Sequence, residues 1–183
     1  MRKGQLPTLL VLAIIFTSCK FQCQVGKDAE KENLTNSTDK QTTKNGNAQL
    51  LNNIILSAND VQVNRAFLAS ENGDLISSDN KITLGEKVVL TIMSQGWKNE
   101  GGKSFIGISQ VISTNTGATV LDTGDMFAKY DETGINAEFT NLLKLTAYIT
   151  ETKPEIEYFK VDFRVWDKKG DGEITGSYKF YVK

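Results

Sequence analysis

Three carboxylates, Asp167, Asp171 and Glu173, fall within the short stretch Asp167-Lys168-Lys169-Gly170-Asp171-Gly172-Glu173. Clustered oxygen donors of this kind suit calcium, and Gly172 stands where an EF-hand loop also places a glycine. The rest of that pattern departs: an oxygen ligand is needed at the third position and Glu at the twelfth, where the chain has Lys169 and Tyr178. Two lysines in the loop would also repel a dication, so the competing reading is a solvated hairpin turn built from ordinary turn residues. A calcium site could instead recruit distant carboxylates such as Asp122 or Asp125. Trp97 and Trp166 are the two tryptophans. Exposed indoles stack on sugar rings, whereas buried ones anchor cores and interfaces. Trp166 follows the polar face of its segment and borders the acidic loop, which makes it the more suggestive of the two.

Histidine is absent from all 183 residues. That removes the commonest general base, the usual zinc ligand and every Ser-His or Cys-His nucleophile pair. Carboxylate pairs of the glycosidase kind, Ser-Lys or Tyr nucleophiles and oxygen-ligand metals are the catalytic options left, and spacing alone identifies no such pair. Gly101-Gly102-Lys103-Ser104 is similar to the end of a phosphate-binding loop, but the earlier glycine is misplaced and no long amphipathic helix follows. The chain is expected to be noncatalytic. With 21 Lys and Arg scattered among 22 Asp and Glu, it lacks the clustered cations that drive nucleic-acid binding.

The elements that must position these residues read as strands. From Tyr158 to Trp166, Phe159, Val161, Phe163 and Val165 face one way and Lys160, Asp162 and Arg164 the other, the period of a half-buried strand. A second alternating run, Ile174, Tyr178, Phe180 and Val182, follows the glycine-containing loop, and the two make a C-terminal hairpin. Further strands are expected at 53 to 58, 61 to 69, 81 to 84, 87 to 93, 105 to 112, 118 to 122 and 143 to 149. Between 125 and 141 the alternation loosens, and Met126, Phe127 and Tyr130 sit at helical spacing, so a short helical turn is expected there. Gly96-Trp97-Lys98-Asn99-Glu100-Gly101-Gly102-Lys103 reads as a mobile loop, able to serve recognition or equally to act as a connector. Residues 50 to 183 suffice for one domain with its own core. An all-β, antiparallel β-sandwich of seven to eight strands is the expected fold.

Leu84-Gly85-Glu86-Lys87-Val88-Val89-Leu90-Thr91-Ile92, and the closing hairpin with its glycine-rich turn, resemble the second strand and last hairpin of immunoglobulin-like domains. The resemblance covers about a third of the domain, and it implies an immunoglobulin-like sandwich without the buried disulfide of antibody domains. It carries no function.

At the other end of the chain, Arg2 and Lys3 precede an apolar run from Leu6 to Phe16, followed by Thr17-Ser18-Cys19. A basic start, a short apolar middle and small residues before a cleavage point mark an export segment. The run is shorter than the roughly 20 residues that span a bilayer. Thr17, Ser18 and Cys19 resemble the lipobox of bacterial lipoproteins, with Phe16 departing from its usual aliphatic residue. The resemblance implies that residues 1 to 18 are removed and that Cys19, bearing a diacylglyceryl thioether, becomes the N-terminus. Lys20 rather than Asp after the cysteine implies the outer membrane. Cys23 is then an odd thiol; were Cys19 not acylated, a Cys19 to Cys23 disulfide would be the alternative.

Residues 24 to 49 are almost wholly polar, with Val25 and Leu34 nearly the only larger aliphatics, and cannot bury enough apolar surface to offset ordering. This stretch, with the acylated Cys19 before it, reads as a flexible tether. About 25 such residues reach roughly 25 to 30 Å as a coil and about 85 Å stretched. The whole is expected to be a membrane-anchored envelope protein whose sandwich binds another envelope protein or a glycan, with no cofactor beyond its lipid. The rivals are a carbohydrate-binding module using Trp97 or Trp166, assisted by calcium, and a carboxylate-based hydrolase.

Overall fold

Five alternate residues, Phe159, Val161, Phe163, Val165 and Asp167, are buried along one strand, while the residues between them face outward. This period of two recurs throughout the computed structural model, which describes residues 23–25 and 48–183. In chain order the strands are β1 (Cys23–Val25), β2 (Gln49–Leu50), β3 (Ile55–Asn59), β4 (Gln62–Ala69), β5 (Lys81–Ile82), β6 (Lys87–Gln95) and β7 (Lys103–Ser104). They continue with β8 (Ile106–Thr114), β9 (Thr119–Asp122), β10 (Ile135–Asn136), β11 (Leu142–Tyr148), β12 (Phe159–Asp167) and β13 (Glu173–Val182). Eight of these have four residues or more, and they coincide closely with the runs of alternation. Short 3₁₀ turns at Ala128–Tyr130 and Ala137–Asn141 occupy the region where the alternation loosens.

Two sheets face each other. One has the order β1-β11-β6-β4-β2, the other β3-β13-β12-β8-β9, and β5 adds to the far end of β13. Most pairings are antiparallel; the parallel ones are β5 with β13 and β2 with β4. The fold is therefore an all-β sandwich. Between the sheets lie Leu68, Leu90, Ile92, Leu143 and Leu145 from the first and Ile108, Ile112, Phe163, Ile174 and Phe180 from the second. Phe159 and Phe180, paired across β12 and β13, stack with centroids 5.5 Å apart. Gln110 reaches across the sandwich, its side-chain amide donating to the Thr146 carbonyl at 2.9 Å. Tyr178 is fully enclosed, and burial pushes its hydroxyl well above the usual tyrosine range.

The strands β2, β5, β7 and β10 have only two residues each. β1 and β2 lie at the two ends of the stretch read as tether, β2 running on into the domain; residues 26–47, like Cys19 and the signal segment, lie outside the described residues. Among the described residues no helix is long and apolar enough to cross a membrane.

At one end of the sandwich a knot of two asparagines closes the fold. Asn52 and Asn80 are buried and hold positive φ values of 58° and 54°, a backbone region that Asn tolerates better than most residues. The Asn52 side-chain amide donates to the Ile76 carbonyl at 2.9 Å and to Asn80 Oδ1 at 3.0 Å, and its Oδ1 accepts from the Leu68 N–H. Asn80 in turn donates to the carbonyls of Asn52 and Lys179, both at 2.8 Å. One pair of side chains thus ties β4, the 76 to 80 turn and β13 together.

Candidate functional site

The opposite end gathers the loops 96–102, 123–134 and 168–172, and Asp167 is the residue that joins them. Because the inward parity of β12 runs on by one more step, Asp167 points inward and is only 7% exposed. Its Oδ2 accepts from the Lys98 N–H and its Oδ1 from the Lys169 N–H, each at 2.9 Å. Its own N–H donates to the Gly172 carbonyl at 2.7 Å, closing the hairpin. A carboxylate so engaged clips two loops to each other.

Lysines complete the bracing. Lys98 Nζ donates to the Lys169 carbonyl at 2.7 Å, and Lys169 Nζ pairs with Glu100 at 3.0 Å while lying over the Phe105 ring. The Lys168 N–H donates to the Phe105 carbonyl, and its ammonium pairs with Asp125 at 2.5 Å and with Asp131. Asp125 also accepts from the N–H groups of Phe127 at 2.8 Å and Ile108 at 3.2 Å. The 96 to 102 loop is fastened on its other side by the Ala137 N–H to the Gly102 carbonyl and by Lys103 Nζ to Asn136 Oδ1. Gly134, at φ 61°, lets that segment lie against β7: a Cβ there would sit 3.1 Å from the Ser104 carbonyl.

These contacts set the protonation of the brace. Burial pushes the Asp125 carboxyl up, but the Lys168 ammonium and two backbone N–H groups outweigh it and hold the group below the ordinary 3.8. Burial pushes Lys168 down, but Asp125 and Asp131 outweigh it and hold the ammonium above the ordinary 10.5. A lowered carboxyl pKa stabilises above the unfolded value, and that contribution is lost as pH falls through the folded one. A raised ammonium pKa stabilises below the unfolded value, and its contribution is lost as pH rises through the folded one. The Asp125→Asn protein is therefore expected to be less stable than the parent by about 1 to 2 kcal/mol across neutral pH, a range suited to a largely buried pair. In thermal melts the two proteins should converge as acid neutralises Asp125.

The residues singled out by sequence are distributed, not gathered. Asp171 is exposed, and its carbonyl accepts from Asn59. Glu173 lies on the outer face of the sheet, paired with Arg164 at 2.6 Å. Asp122 accepts from the Gly124 N–H at 3.0 Å. Among the described residues no three His, Cys, Asp or Glu side chains are grouped to hold a metal ion. Trp97 is buried, its indole N–H donating to Ser94 Oγ at 3.0 Å. Gly172 packs against it and against Val61 so closely that a Cβ would lie 2.8 Å from Val61 Cγ1.

Trp166 lies on the outer face of the second sheet, half-buried. One side of its indole rests on Gly107, where a Cβ would overlap the ring, and the Arg164 guanidinium sits 4.8 Å from the ring centroid. Gly107→Ala is accordingly expected to lift the indole off the sheet. A red-shifted tryptophan emission should report it, with a stability loss of about 1 to 3 kcal/mol, the usual cost of overpacking.

The loop carrying Lys98 and Glu100 was marked by its sequence for recognition, but the bracing of these two residues by Lys169 was not foreseen. Their signal was the alternating charge of Lys98, Glu100 and Lys103 facing two hairpin lysines, which acquires meaning only once the two loops are adjacent. Around this braced frame the tips carrying Asn99, Gly101, Lys129, Glu132, Thr133 and Asp171 are exposed. Ionised groups paired in this way brace the loops against one another. The chain matches no protein-family model, and no curated protein matches it.

Proposed function

We propose that this is a lipid-anchored, noncatalytic binding module of a bacterial envelope, which grips a protein partner through the braced loop end of its sandwich. The observation that carries the reading is the cross-bracing of three loops by Asp167, Lys168 and Lys169. Loops fixed before binding lose little entropy on binding, which is how rigid scaffolds present recognition surfaces. The histidine-free composition and the pairing of Asp125 and Glu100 with lysines favour binding over catalysis. An immunoglobulin-like reading of the sandwich draws support from the placing of β4, β6 and β11 in one sheet and β13, β12, β8 and β9 in the other. The parallel pairing of β5 with β13 just before β6 agrees with it. A glycan partner draws less support, because Trp97 is buried and Arg164 lies over Trp166.

Cys19 supplies the anchor by its lipobox resemblance, and the outer membrane is the proposed address. Cys19→Ala is expected to move the protein from the membrane to the soluble fraction; persistent attachment would refute the anchor. In parallel, the acylated protein is used as bait on its own envelope, with partners identified by mass spectrometry. Glu132→Arg combined with Asp171→Arg, both on exposed tips, should lose the captured envelope protein. Undiminished capture would remove the loop end from the interface.

A further inference from the structure

We infer that β1 fixes which way the sandwich stands on the membrane, with the braced loops held on the side away from the lipid. The inference rests on the anchoring of Cys19 proposed above. β1 pairs antiparallel with β11, Cys23 opposite Leu145, Gln24 opposite Lys144 and Val25 opposite Leu143. Only residues 20 to 22 separate it from the acylated cysteine, a span of at most about 14 Å. With β1 docked, the long polar stretch 26–47 no longer stands between lipid and domain. It joins strands at opposite edges of one sheet, β1 beyond β11 and β2 beyond β4, which are about 19 Å apart at four strand spacings.

The antiparallel register also gives direction. Passing from Val25 back to Cys23 moves along β11 from Leu143 towards Tyr148, so the chain leaves the sandwich at the end where Lys87 opposes Tyr148. That end carries the 83 to 86 turn, whose Gly85 N–H donates to the Ile149 carbonyl, and the 115 to 118 turn, whose Asn115 N–H donates to the Tyr158 carbonyl. Leu84 at its tip is 41% exposed. Exposed Glu86, Glu151, Glu155 and Glu157 stand at this end together with exposed Lys81 and Lys153, and burying such charged groups is costly, so this end rests on the surface instead of in the bilayer. The braced loops follow the other ends of β6 and β12, at Gln95 and Asp167. Nine-residue strands put them about 30 Å further out.

Both tryptophans lie at the distal end, so the acylated protein on vesicles containing a dansyl-headgroup lipid should show little transfer from tryptophan to dansyl. Leu84→Trp places a donor at the proximal end and should gain transfer. Two changes should abolish that gain. Gln24→Pro with Val25→Pro removes two successive N–H groups, one of which must face β11 in any strand. Inserting about ten Gly and Ser residues after residue 22 lengthens the leash without touching the sandwich. Leu84→Trp without added transfer, or transfer indifferent to the insertion, would overturn the inference. Coupling the Cys23→Ser protein through Cys19 to a maleimide-headgroup lipid supplies the attachment chemically. Failure of acylation in the cell and failure of β1 to dock are then read separately.

Discussion

Asn52→Ala is expected to lower the thermal midpoint by about 10 °C or more, corresponding to a loss of about 3 to 4 kcal/mol in a domain of this size. The substitution removes the acceptor of the buried Leu68 N–H and the donors to the Ile76 and Ser77 carbonyls and to Asn80 Oδ1. Each buried polar group left unpartnered costs about 1 to 3 kcal/mol. Alanine also fits φ 58° less well than asparagine. The loss is large beside the whole stability of such a domain, about 5 to 15 kcal/mol. Chemical denaturation should show a lower midpoint with an unchanged slope. Asn52→Asp should be nearly as damaging, since it keeps the acceptor for Leu68 but turns a carboxylate towards three acceptor oxygens. A wild-type midpoint for either variant would dismiss the knot as a stabilising device.

Asp167→Ala is the second large effect, and it strikes function as well as stability. Without the carboxylate the N–H groups of Lys98 and Lys169 lose their acceptor in a part-buried setting, at an expected cost of about 2 to 4 kcal/mol. The hairpin keeps its Asp167 N–H to Gly172 bond, so the sandwich should still fold while the 96 to 102 and 168 to 172 loops separate. Faster amide exchange at Lys98 and Lys169, confined to those loops, is the diagnostic result. Partner capture should fall with it. Asp167→Asn, which retains one carbonyl oxygen, should lie between the two. Were Asp167 a calcium ligand instead, calcium would raise the melting temperature of the parent and not of the variant; the backbone role predicts no dependence on calcium in either.

The strands were legible because the alternation of β6, β11, β12 and β13 is a property of each segment by itself. β2, β7 and β10 were not, for two residues carry no period; β2 is a strand only because Arg65 and Ala66 lie alongside it, and β7 and β10 only because they lie alongside each other. The strand expected at 53 to 58 begins two residues before β3 and Asn52 drew no reading of its own, for nothing local reveals that Asn80, far along the chain, completes a buried knot. The acidic loop was half legible. Extending the inward parity of Phe163 and Val165 by one step places Asp167 inside, which separates it from Asp171 and Glu173. Trp97 needed the tertiary fold: a tryptophan after glycine in a polar loop looks free until Gly172 and Val61 are seen to close over it.

The interior position of β13 governs when this chain can fold. β3 and β5, which come early, and β12, which comes late, all pair with β13. The second sheet therefore cannot be completed until residues 173–182 are available to pair, and pairing so distant in sequence makes folding slow. For a protein proposed to cross a membrane before it folds, that delay is useful: the polypeptide remains threadable until β13 finds its partners, and the order of its strands acts as a timer on its own maturation.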